Sequence, residues 1–67
     1  MKGIWYVYEG PVITNFGRLL TNYWAGITKA NSLAQGRNNL MYQFKKQNNL
    51  PVDYKIEFVK EVETYYG

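Results

Sequence analysis

The chain contains no cysteine and no histidine. Disulfides are therefore excluded, and so are zinc sites built on thiolate or imidazole. The commonest general base and the thiol nucleophile are missing as well. The five acids are scattered and do not cluster as ligands, and the only serine, Ser32, has a structural assignment given below. The six glycines form neither a Walker loop nor G-x-G-x-x-G. No stretch approaches the ~20 apolar residues that span a bilayer. The opening M-K-G-I-W-Y has one positive charge but neither the long apolar run nor the small-residue cleavage site of a signal peptide. Neither an enzyme, a cofactor, a metal site nor a membrane segment is expected. The lack of cysteine fits a cytoplasmic setting.

What the chain does have is aromatic bulk: two Trp, three Phe and seven Tyr in 67 residues. Residues 1–67 make a single domain. A domain this small buries only about 60% of the surface its unfolded chain exposes, so its expected stability is roughly 3–5 kcal/mol. With disulfides and metals excluded, aromatic packing and self-association are the remaining sources of stability. The formal charge of +3 is uneven. Residues 1–50 hold Lys2, Arg18, Lys29, Arg37, Lys45 and Lys46 against Glu9 alone. Residues 51–67 hold Lys55 and Lys60 against Asp53, Glu57, Glu61 and Glu63. A basic body with an acidic end attracts a polyanion, or a second copy of the chain tail to body.

One segment states its structure plainly. From Ser32 to Pro51 the chain reads S-L-A-Q-G-R-N-N-L-M-Y-Q-F-K-K-Q-N-N-L-P. Ser32 and Gln35 have capping-box form, and Pro51 should stop the helix. Steps of 100° place Leu33, Ala34, Leu40, Met41 and Phe44 on the face that covers the sheet. Gln35, Asn38, Asn39, Tyr42, Lys45 and Lys46 fall on the opposite face. Arg37 falls inside the apolar face; it is expected to snorkel, its guanidinium reaching solvent or pairing with Glu9 or Glu57. Gly36 costs up to ~1 kcal/mol relative to Ala in a helix, which points to close packing against a strand.

The rest reads as strands. Ile4 to Glu9 is β-branched and aromatic throughout. Ile4, Tyr6 and Tyr8 share one face, and Trp5, Val7 and Glu9 the other. Gly10-Pro11 breaks the run; Val12 to Thr14 either begins a second strand or continues the first through a bulge. Asn15-Phe16-Gly17 suits a tight turn. Arg18 to Thr21 and Tyr23 to Lys29 follow, separated by a bend at Thr21-Asn22. Gly26 marks a close approach, expected from the helix lying over it. The last strand is expected from Tyr54 to Lys60, with Tyr54, Ile56 and Phe58 inward. Glu61 to Gly67 extends it, adds a helical turn or frays.

Two resemblances bear on these residues. W-A-G-I-T-K-A-N-S-L-A-Q-G-R-N-N-L-M-Y-Q-F-K-K, with the later N-L-P and K-I-E-F and the earlier V-Y-E-G-P-V and N-F-G, resembles small uncharacterised proteins of phages and integrative elements of Gram-positive bacteria. That implies a cytoplasmic accessory protein. Strands leading through G-I-T-K-A into a capped helix are similar in layout to the arm-binding N-terminal domains of phage and transposon integrases. Those set a three-stranded sheet into the DNA major groove with one helix behind it, which would put Arg18 and Lys29 on the DNA-facing sheet. This chain carries Tyr and Trp on its strands where such domains carry Lys and Arg, and it adds a strand after the helix.

The expected fold is α+β: an antiparallel sheet of three to four strands with one helix packed on one face, in the order β-β-(β)-α-β. Two functions are expected of such a chain. The first is a protein-interaction module, an accessory or inhibitor factor of a phage or mobile element. It would use the aromatic sheet face or the Tyr42 face, and a homodimer is one form of it. The second is a nucleic-acid-binding module. Arg18, Lys29, Asn38, Tyr42, Lys45 and Lys46 are the candidate contacts with partner or nucleic acid: lysines neutralise phosphates, amides bond base edges and a ring stacks on bases. An exposed Tyr equally suits a protein interface as an anchor.

Overall fold

Residues rich in rings and β-branches fill a pleated surface well, and they build a long hairpin here. The computed structural model describes residues 3–65. Strand β1 covers Ile4–Thr14 and β2 covers Leu19–Ala30, antiparallel, with Ile4 opposite Ala30 and Ile13 opposite Leu19. The turn between them is tight. Thr14 accepts at its carbonyl from Gly17 N and at its hydroxyl from Phe16 N and Arg18 N. Gly17 takes φ 88°, which suits a residue without a Cβ.

Strand β1 continues through Gly10-Pro11 instead of breaking there, with a register shift against β2 between Gly10 and Val12. The Tyr8 hydroxyl explains the continuity. It donates to Pro11 O at 2.6 Å and accepts from Lys60 N at 3.2 Å, so one phenol satisfies backbone groups on both sides of the irregularity. Gly10 has φ 152°, and a Cβ on it would meet that hydroxyl at 3.0 Å. The bend expected at Thr21-Asn22 is a bulge inside the continuous β2. The Thr21 hydroxyl donates to Tyr23 O and accepts from Tyr23 N, filling the irregularity.

Helix α1 runs Leu33–Gln47. Ser32 caps it, accepting from Gln35 N at 3.2 Å, and the Gln35 carboxamide accepts from Asn31 N at 2.7 Å. The stop comes before Pro51. Asn49 adopts φ 58°, Asn49 N donates to Lys46 O, and Leu50 N donates to Lys45 O at 2.8 Å. That is a Schellman ending with Asn in the left-handed position.

After the helix, β3 is only Ile56–Phe58, shorter than the expected Tyr54–Lys60. Tyr54 N is committed to a turn at Pro51 O, and Lys60 N is taken by the Tyr8 hydroxyl, so the ladder closes at both ends. A further short strand, β4, covers Glu63–Thr64 and pairs with Tyr6 and Val7 of β1. The sheet order is β2-β1-β3, with β4 also on β1. Of the expected tail, Tyr66 and Gly67 lie outside the described residues. The architecture is the expected α+β layout, an antiparallel sheet with one helix on one face.

The core lies between helix and sheet: Tyr6, Tyr8, Val12, Ala30, Leu40, Phe44, Ile56, Phe58 and Val62. Phe58 stacks on Tyr8 at 4.0 Å between centroids, and Trp24 meets Phe44 edge-on at 5.5 Å. The Trp24 indole N–H donates to Gln47, so its one polar group is satisfied. The buried helical stripe is Gly36, Leu40 and Phe44. A Cβ on Gly36 would sit 2.8 Å from the Tyr6 ring, so glycine is what lets helix and strand meet. Gly26 is covered differently than expected: the Trp24 ring of its own strand, and not the helix, lies across it.

Three expected inward positions are corrected: Tyr54 lies before the short β3 and is exposed, and the other two are in the first turn of the helix. Leu33 is 54% exposed and Ala34 is exposed too. At the start of the helix Leu33 and Arg37 line a cavity together with Glu61 and Val62. Arg37 is exposed there, and the carboxylate sharing its cavity is Glu61, in place of Glu9 or Glu57.

Candidate functional site

Alternation along a strand sends neighbouring side chains to opposite faces, and in this sheet only one face has a helix on it. Register places Trp5, Val7, Glu9, Pro11 and Ile13 of β1 on the other face. Opposite them lie Lys29, Ile27, Ala25 and Leu19 of β2, Glu57 of β3 and Glu63 of β4. Tyr65 N donates to Trp5 O, carrying the same ladder one residue further. The large apolar residues Trp5, Leu19, Tyr23, Ile27, Val59 and Tyr65 are exposed, Tyr23 at 60% and Val59 at 55%. A contiguous patch of this kind differs from apolar residues scattered singly over a surface.

Polar groups are few on that face and have defined places. The Tyr23 hydroxyl donates to Glu9 Oε2 at 2.8 Å. The hydrogen bond to Glu9, some desolvation and the Glu9 charge, in that order, raise the Tyr23 pKa above its ordinary 10.0. The Lys29 ammonium lies 5.8 Å from the centroid of the Trp5 ring, within cation–π range. On the far margin a cleft of about 180 Å³ is lined by Val7, Glu9, Lys60, Glu61 and Glu63. At the hairpin tip Phe16 is 91% exposed beside Arg18.

The six candidate contacts do not form one surface. Asn38, Tyr42 and Lys46 are exposed on the outer side of α1, Tyr42 at 50%. Lys45 is drawn aside: its Nζ donates to Val52 O at 2.7 Å and holds the connector after the helix. Lys29 is on the opposite side of the molecule, on the open sheet face, and Arg18 is in the hairpin turn.

Trp5, Leu19, Tyr23, Ile27 and Val59 were not among the expected contact residues. Their signal was present as apolar residues on both phases of the strand alternation, where a one-sided sheet would alternate apolar with polar. Among the described residues no group of three or more acids is placed to hold a metal ion, and no helix is long and apolar enough to cross a membrane. Comparison with protein-family models, curated proteins and solved structures finds no match to this chain.

Proposed function

We propose that the chain is a small protein-interaction module whose contact surface is the open face of the sheet. The observation that carries this reading is the row of exposed Trp5, Leu19, Tyr23, Ile27, Val59 and Tyr65 on a face with no helix over it. Trp and Tyr are the usual anchors of protein interfaces because they bury large area with few rotatable bonds. The likeness to phage and integrative-element proteins fits an accessory factor acting on another protein. A nucleic-acid reading is weaker, since only Asn38, Tyr42 and Lys46 of its residues share a surface and Lys45 is engaged elsewhere.

Site-resolved crosslinking tests the reading. A photoreactive residue at Ile27 or at Asn38 is introduced in the full chain and activated in bacterial cells. Protein adducts, including adducts with the chain itself, are expected from position 27 and not from position 38. Nucleic-acid adducts from position 38, with none of any kind from position 27, would overturn it.

A further inference from the structure

The interaction reading leaves the partner open, and the division of charge between the two sides of the molecule narrows it. The strands of the open face carry Glu9, Glu57 and Glu63 against Lys29 alone, a balance of −2, in a chain whose formal charge is +3. All of these side chains are exposed. Lys60 and Glu61, at the cleft beside Glu9 and Glu63, cancel each other. The side that the helix occupies has the opposite sign: α1 bears Arg37, Lys45 and Lys46 and no acid.

The carboxylates stand among the apolar residues of the face. Glu9 is on the central strand, bonded to Tyr23; Glu57 is opposite Ile13 on β3, and Glu63 opposite Val7 on β4. The one cation, Lys29, lies beside the Trp5 ring. Like charges set among apolar groups give the whole face a potential of one sign. Whatever covers this face takes Trp5 and Ile27 out of water, so it must be apolar. It also takes water from the carboxylates, and a desolvated charge without a partner is costly, so it must be cationic as well.

Other occupants fit less well. Nucleic acid is a polyanion and is repelled by a face of this sign. A second copy set face to face brings one net-negative surface against another. A second copy set head to tail offers the outer side of α1, which has the right charge. There, however, Lys46 stands with Asn38, Asn39 and a single ring, Tyr42, so amides would lie against Trp5, Leu19 and Ile27. Such a head-to-tail contact is also heterologous and grows without closing unless its rotation completes a ring.

Resting on the interaction reading above, we infer that the open face binds a different protein, through a surface of that protein that is apolar and carries Lys or Arg among its apolar groups. The apolar part meets Trp5, Val7 and Ile27, and the cations meet Glu9, Glu57 and Glu63. Glu9 is already held in place: its Oε2 accepts from the Tyr23 hydroxyl at 2.8 Å, and a carboxylate has further lone pairs for an incoming N–H. Complementary charge speeds the encounter and rejects acidic partners.

Two model peptides test this on the full chain, one an amphipathic sequence of leucine and lysine, the other its leucine and glutamate counterpart. Each is titrated to about 1 mM, where even a pair with a Kd near 1 mM is half formed, and followed by the amide resonances of the chain. The lysine peptide should shift Val7, Ile27 and Glu63 and leave Asn38 and Tyr42 in place; the glutamate peptide should shift none of them. Glu57→Lys/Glu63→Lys should weaken the lysine peptide about tenfold or more, with a circular dichroism spectrum that remains that of the parent. If that variant does not fold, Glu57→Gln/Glu63→Gln serves in its place, with a loss of a few-fold. The inference is overturned by a lysine peptide that does not bind the open face, by a glutamate peptide that binds it equally well, or by charge variants that bind the lysine peptide as the parent does. Sedimentation of the chain alone adds one more outcome: a dimer that Ile27→Asp dissolves would make a second copy the occupant and overturn it too. The crosslinking at position 27 separates this from the broader reading. Protein adducts there, alongside no preference for the lysine peptide, leave an interaction module whose partner is not basic.

Discussion

One face of the sheet carries Tyr6, Tyr8, Val12, Trp24, Ile56 and Phe58 and lies under the helix; the other carries Trp5, Val7, Ile13, Tyr23 and Ile27 and lies open. Their composition is similar, and the difference is in partners. On the covered face the Tyr8 hydroxyl is bonded to Pro11 O and Lys60 N, and the Trp24 indole to Gln47. On the open face the rings are half in water, and Glu9 stands on the central strand bonded to Tyr23 while Lys29, Glu57 and Glu63 stand on the flanking strands. A covered face is tuned for folding and an open one for contact, because burial contributes to stability only where water is excluded.

The largest expected effect breaks this contrast directly. Phe44→Ala removes a buried ring and should cost about 3–5 kcal/mol, which equals the whole stability expected of a domain this size. Ile27→Ala on the open face, measured in dilute solution, should stay within about 0.5 kcal/mol. Urea melts followed by circular dichroism compare them; equal losses would mean that the two faces are not distinct.

A smaller effect sharpens the account of the covered face. Tyr8→Phe keeps the ring and its stack on Phe58 but removes the partner of Lys60 N and leaves Pro11 O only the long bond from Val59 N at 3.5 Å. Stability should fall by about 1–3 kcal/mol, the usual cost of leaving such groups unsatisfied. Amide exchange at Lys60 should quicken at the same time, and unchanged exchange there would contradict the bond.

The smallest effect concerns the open face. Tyr23 should titrate above 10.0 because its proton is held by Glu9. A group whose folded pKa is raised binds its proton more tightly when folded. Its contribution is therefore complete below the unfolded pKa and is lost as pH rises through the raised value. Ultraviolet titration of the phenols should show one late Tyr, and Glu9→Gln should bring it back toward the others. No late phenol in the parent chain would show that the Tyr23–Glu9 bond does not persist in solution.

Much of this was legible locally. The Ser32 cap, the helical phase that buries Leu40 and Phe44 and turns Tyr42 outward, and the close approach at Gly36 all follow from spacings within a few residues. The strands around Tyr6, Tyr23 and Ile56 follow from alternation. Leu33 did not, because what lies beside the start of the helix, Glu61 and Val62, is set by the tertiary fold and not by helical spacing. The burial of Val62, between two glutamates, was equally hidden, since it depends on β4 returning to β1. The passage of β1 through Gly10-Pro11 required the Tyr8 hydroxyl and Lys60, which is 52 residues away from Tyr8 in sequence.

Thus the sequence alone determined the helix, the strands before it, a strand after it and the two faces of each, though not the return of β4 to β1, because capping, helical period and strand alternation are local properties of the chain. Only the tertiary structure decided which sheet face the helix covers, which leaves the other as the surface for contact. Both phases of the strands are apolar, so periodicity cannot rank them. The choice is made by packing, by glycine at position 36 against Tyr6 and by the ring of Trp24 closing on Phe44.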